Sequence, residues 1–132
     1  MKEYSEEEYP LKGTTEKIIR AAFAVHNTLG AGFAEKVYER ALAKELRTSG
    51  LEVEQQKRMK VVYGGEPVGE FIADLLVDRS VIIELKAVRT IEKSFEDQLV
   101  HYLRATSLPV GLLLNFGGPS VQIKRKVNLK HT

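Results

Sequence analysis

Three charged residues, Asp74, Glu84 and Lys86, stand inside one of the most apolar stretches of this chain, GEFIADLLVDRSVIIELKA, residues 69–87. Burying an unpaired charge is costly, so such residues are ordinarily exposed, paired or bound to a metal. The stretch reads as two strands joined by a tight turn. Alternation puts Asp74 on one face of the first strand with Ile72 and Leu76, and puts Glu84 and Lys86 on one face of the second. An odd loop, Asp78-Arg79-Ser80, sets Asp74 opposite Glu84, whereas a two- or four-residue loop breaks that pairing. Opposed carboxylates repel. One acid is then protonated, or a cation such as Lys86 bridges the pair, or a metal does. Oxygen ligands on rigid strands with room for water suit magnesium. A glycosidase pair fits less well, because the chain has no tryptophan platform and the lysine goes unexplained.

Other polar residues fall on apolar helix faces. At 100° per residue, Glu35 projects within about 20° of Leu42 and Leu46, and Glu45 is placed on the same stripe. Gln98 and Tyr102 lie one helical turn apart beside Phe95. His26 adjoins Val25. Each alone reads first as a satisfied polar group at the edge of a core. The three histidines are dispersed and predict no histidine metal cluster.

The elements that must carry these residues follow from periodicity. Residues 1–12 read as a loose acidic tail ending near Pro10, and residues 13–132 as a single domain. A helix is expected from Thr14 or Thr15 to a stop at Gly30, with Ile18, Ala22, Val25 and Leu29 inward. GAG then turns the chain into a second helix over 33–49, with Ala34, Val37, Tyr38, Ala41, Leu42 and Leu46 inward. LEVEQQKRMKVVY reads as a strand and Gly64-Gly65 as a turn. Strands over 68–77 and 81–87, a helix over TIEKSFEDQLVHYLRATS, the apolar strand PVGLLLNFG and the edge strand SVQIKRKV complete the order ααβββαββ. That order predicts an α/β (α+β) domain: a mixed sheet flanked by helices.

Length and composition bound the rest. At 132 residues the chain suits one domain with one core. It has no cysteine, which excludes disulfides and thiol catalysis and fits a reducing, cytoplasmic setting. No apolar run approaches the ~20 residues that span a bilayer, so no membrane partner is expected. The net charge is +2. Glu3, Glu6, Glu7 and Glu8 outweigh Lys2 in the tail, which leaves the remainder more basic, with Lys124, Arg125, Lys126 and Lys130 near its end. That bias permits a phosphate-bearing partner, and it equally suits an edge strand protected by lysines.

GFAEKVY, with Gly32, Glu35 and Tyr38, resembles the motif that names the GxxExxY family. VHNTLGAG, EQQ, GEFIADLLV, IIELKA, QLVHYL and GLLLNFG also resemble that family, in the same order, over about residues 16–127. The family is placed in the PD-(D/E)XK, restriction-endonuclease-like superfamily. The resemblance implies a restriction-endonuclease-like core and a metal-dependent phosphodiesterase site. Asp74 matches the first acid, Glu84 and Lys86 the (D/E)-x-K element, Glu35 the helical glutamate, and Gln98 and Tyr102 a Q-x-x-x-Y segment. Ala73 stands where many members have proline. The resemblance implies Asp74, Glu84, Glu35 and the Leu85 carbonyl as ligands of Mg2+, with Mn2+ as substitute, and Lys86 and Gln98 as catalytic partners. DNA is the favoured substrate over RNA, and a homodimer or a recruiting protein would supply further contacts. A module that keeps the fold only to bind nucleic acid or protein is the competing expectation.

Overall fold

A computed structural model describes residues 9–128. Its elements are α1 (Lys12–Leu29), α2 (Glu35–Thr48), β1 (Val53–Tyr63), β2 (Glu66–Val77), β3 (Val81–Lys86), α3 (Lys93–Thr106), β4 (Val110–Asn115) and β5 (Gln122–Val127). This is the expected order and the expected mixed sheet. The five strands lie side by side in chain order. β1, β2 and β3 form an antiparallel meander. α3 carries the chain across to β4, which runs parallel to β3, and β5 returns antiparallel along the edge.

The two faces bury different partners. Ile18, Val25, Tyr38, Leu42 and Leu46 of α1 and α2 pack on Leu75, Ile83, Leu85, Leu112 and Leu114. Leu99 and Leu103 of α3 pack on Ala73, Leu76, Ile82 and Leu113. β3 and β4 are thus covered on both sides, which explains their nearly continuous apolar sequence.

Three expectations change. The first helix begins at Lys12 rather than Thr14 or Thr15, and the Thr15 hydroxyl donates to the Lys12 carbonyl instead of capping. The cause lies upstream: Pro10 is buried, its carbonyl accepts from Arg125 Nη2 at 2.6 Å, and Leu11 packs on the core. Residues 9–12 of the expected loose tail are therefore docked, while residues 1–8 and Lys130 lie outside the described residues. In α2, Ala34, Val37 and Glu45 are exposed and Glu39 is buried, so the inward face is rotated from the one expected. In α3, where helical spacing turns Phe95, Leu99, Tyr102 and Leu103 inward, Leu99 and Leu103 are buried, and Phe95 and Tyr102 are half-buried and pack against the same cluster.

The β2–β3 turn has the odd loop. Val77 pairs with Val81, Leu76 with Ile82 and Leu75 with Ile83. Asp78 and Arg79 take φ of 49° and 54°, and Ser80 N–H donates to the Val77 carbonyl at 2.9 Å. Two positive φ values in succession belong to the primed turns that match strand twist.

β2 changes sides just before this paired stretch. Ala73 packs on the α3 side and Leu75 on the α1–α2 side, although residues two apart in a regular strand share a face. β1 does the same between Val53 and Met59. The regular pairs Gln55–Leu75 and Lys57–Ala73 bracket the irregular position, which holds Gln56 and Asp74. Gln56 has φ 49°, an uncommon conformation for a residue other than glycine.

Candidate active site

β2 and β3 stop pairing after Leu75–Ile83. In the fork beyond, Asp74 replaces the missing ladder bond: its Oδ2 accepts the Leu85 N–H at 2.9 Å. Phe116 N–H donates to the Lys86 carbonyl at 2.8 Å, so Lys86 turns its backbone groups toward β4. By alternation Leu85 turns its own toward β2, into the fork.

Glu84 is 8% exposed, and its Oε1 is buried with no hydrogen-bond partner. Burial, then the negative charge of Asp74, then a hydrogen bond from the protonated Glu84 to Asp74 push its carboxyl up to about 9. Of the three ways to relieve the repulsion, protonation is the one that burial and the Asp74 charge favour when no ligand is bound. The lysine bridge is not formed. Lys86 Nζ sits 4.3 Å from the centre of the Phe95 ring, and no carboxylate lies within 4.0 Å of it among the described residues. The ring face on α3 competes for the ammonium.

Glu35 opens α2. Loss of hydration and then the charge of Asp74 raise its carboxyl pKa, while Lys86 pulls it down, so the three groups share one electrostatic neighbourhood. Loss of hydration, then Glu84 and then Asp74 raise the Tyr102 phenol. Among the described residues, no three Asp, Glu, His or Cys side chains are gathered closely enough to hold a metal ion by themselves. The two strand acids, one with an orphaned buried oxygen, nevertheless fit a hard divalent cation as a donor set.

The family model of the PD-(D/E)XK nuclease superfamily matches residues 12–126. The chain belongs to that superfamily. No curated protein matches it. Among solved structures, the crystal structure of SSO0001 resembles it with a TM-score of 0.57 at 18% identity, over 71% of this chain and 50% of that one. At that identity the likeness concerns the fold alone, and this chain spans half of that protein's length. No helix among the described residues is long and apolar enough to cross a membrane.

This PD-(D/E)XK domain places the remaining candidates unequally. Tyr102 stands near the acids, its ring stacked on Phe71 at 3.8 Å. Gln98 is exposed on α3 and makes no side-chain hydrogen bond among the described residues. Tyr38 is buried and engaged elsewhere: its hydroxyl donates to the Gly30 carbonyl at 2.5 Å and accepts from Phe33 N–H at 3.2 Å, and its ring stacks on Phe116 at 4.8 Å. His26 Nε2–H donates to the Gly118 carbonyl at 2.9 Å. Tyr38 and His26 thus brace loops and are not gathered with the acids.

Two residues beside the site escaped the sequence reading. Glu39 is buried on α2, and Gln56 on β1 donates to both Glu39 and Asp74. EQQ contains Gln56, but nothing in its spacing announces a left-handed backbone. Glu39 lies as near Leu46 around the helix as Glu35 does, which is a usable signal.

Proposed function

We propose that this domain is a magnesium-dependent nuclease of the GxxExxY branch, which hydrolyses phosphodiester bonds in DNA in preference to RNA. The observation that supports it most is the orphaned, buried Glu84 oxygen beside Asp74, in a fork of strands with Lys86 on the next outward position. Two buried carboxylates are costly to hold as charges, and a divalent cation between them would offset both. Asp74, Glu84 and the Leu85 carbonyl would hold Mg2+, or Mn2+ in its place, with Glu35 joining directly or through water. The ion supplies Lewis acidity at the phosphate and for the attacking water. Lys86 orients that water and offsets charge developing on the phosphate. Gln98 positions Lys86 or a phosphate oxygen. A second copy of the chain or a recruiting protein extends the contact to DNA.

The test is purified protein with Mg2+ or Mn2+ against single-stranded, double-stranded and branched DNA, and against RNA. Cleavage lost in both Lys86→Ala and Asp74→Ala supports the reading. Cleavage that persists equally in both variants assigns the activity to something else. The absence of a three-carboxylate group among the described residues favours a second reading, a binding module without turnover. Salt-dependent binding to nucleic acid with no cutting on any substrate selects it.

A further inference from the structure

We infer that Gln56, braced by Glu39, is a positioning residue that fixes the Asp74 carboxylate for its ligand. Glu39 is a charged residue only 4% exposed. Lys36 Nζ reaches its two oxygens at 3.2 and 3.4 Å, Gln55 Nε2 donates to its Oε2 at 3.1 Å, and Gln56 Nε2 donates to its Oε1 at 2.5 Å. Gln55 is held in turn by Arg47 Nη1 at 3.1 Å. Gln56 spends its second N–H on Asp74 Oδ1, at 3.3 Å. With a carboxylate on either side, only the NH2 end of the amide can serve both, so its orientation is fixed by chemistry. Asp74 is thereby held at both oxygens, by Gln56 at Oδ1 and by Leu85 N–H at Oδ2.

The backbone supports the same role. Gln56 holds φ 49° at the point where β1 and β2 change sides, directly across from Asp74. Strain of this kind persists where the surroundings over-determine it, and it concentrates at functional sites. Gln55 shares Glu39 with Gln56 but makes no side-chain hydrogen bond to Asp74 among the described residues, so it is a built-in control.

The inference rests on Asp74 being a ligand, and the experiment has one arm that needs no metal. That arm is the hydrogen exchange of the Leu85 amide, with the Ile83 amide inside the ladder as reference. Gln56→Met should speed Leu85 exchange relative to Ile83 about tenfold and weaken Mn2+ binding, read by calorimetry, about tenfold, as expected for a residue that orients a ligand. Gln55→Met should leave both within about twofold. Glu39→Gln, which weakens the brace, should move both in the direction of Gln56→Met by a smaller factor. If Gln56→Met does not fold, Gln56→Asn keeps the amide but withdraws it by one carbon and carries the same expectations. Equal responses of the Gln55 and Gln56 variants, or an unchanged Leu85 amide in the Gln56 variant, overturn the inference. Absence of Asp74-dependent Mn2+ binding in the parent protein counts against the proposed nuclease instead, and leaves the exchange arm to decide the role of Gln56.

Discussion

The β2–β3 hairpin has a closed half and an open half, built from the same two strands. In the closed half, Leu75, Leu76 and Val77 meet Ile83, Ile82 and Val81 in an unbroken ladder, with apolar side chains buried on both faces. One residue further, the ladder ends, an aspartate takes the place of a strand partner, and burial and the neighbouring charge favour the neutral form of a glutamate. The closed half stabilises through packing, and the open half is stabilised only by its surroundings. A rigid anchor directly beside a poorly satisfied pair is how a site holds its geometry without collapsing.

Mutations should separate the two halves. Among substitutions the largest effect belongs to the closed one: Ile83→Ala should cost about 3 kcal/mol in urea unfolding, because a fully buried aliphatic side chain leaves a cavity. A cost below about 1 kcal/mol would mean that the closed half is not the anchor. Next comes pH. Folded Glu84 retains its proton up to about 9, whereas the unfolded chain releases it near the ordinary 4.5. Raising pH through that window therefore favours the unfolded state, and metal-free stability should fall from pH 5 to pH 9. Glu84→Gln should flatten that slope, and an equally steep slope in the variant would place its origin elsewhere.

Smaller is Asp74→Asn, which can keep an oxygen for Leu85 N–H but removes the charge. It should raise the metal-free melting temperature by the equivalent of up to about 1 kcal/mol and abolish any further rise with Mn2+. A fall in melting temperature would show that the charge repels less than it hydrogen-bonds. The smallest effect is Ile72→Thr, on the exposed part of β2 beyond the fork, expected within about 0.5 kcal/mol by urea unfolding.

The hairpin was legible because two signals agree: charges spaced by two within apolar runs, and a loop whose odd length fixes who faces whom. The order of elements was legible because the period shifts cleanly between helix and strand. Glu39 is not legible because the apolar spacing sets Ala34 and Val37 on the inward face. Both are exposed, and including them turns the assumed face of α2 away from Glu39. The side change at Gln56 is invisible because glycine or asparagine would flag a left-handed backbone, and glutamine does not. Alternation puts Lys86 on the same face of β3 as Glu84, but its partner, the Phe95 ring, comes from a helix beyond the hairpin. Periodicity within one hairpin says nothing about that.

The three-residue loop between β2 and β3 also has a kinetic consequence. It closes a short circuit of chain, whereas the parallel pairing of β3 with β4 must wait for the whole α3 crossover to form. Local contacts form early and long-range parallel ones late, because closing a longer loop costs more entropy. Asp74 and Glu84 are therefore driven together while the helices that later desolvate them are still undocked, and water can screen their repulsion. The penalty arrives only when α3 docks, so it belongs to the last steps of folding and to the first steps of unfolding. In the absence of a ligand, raising the pH should then accelerate unfolding while leaving the refolding rate nearly unchanged.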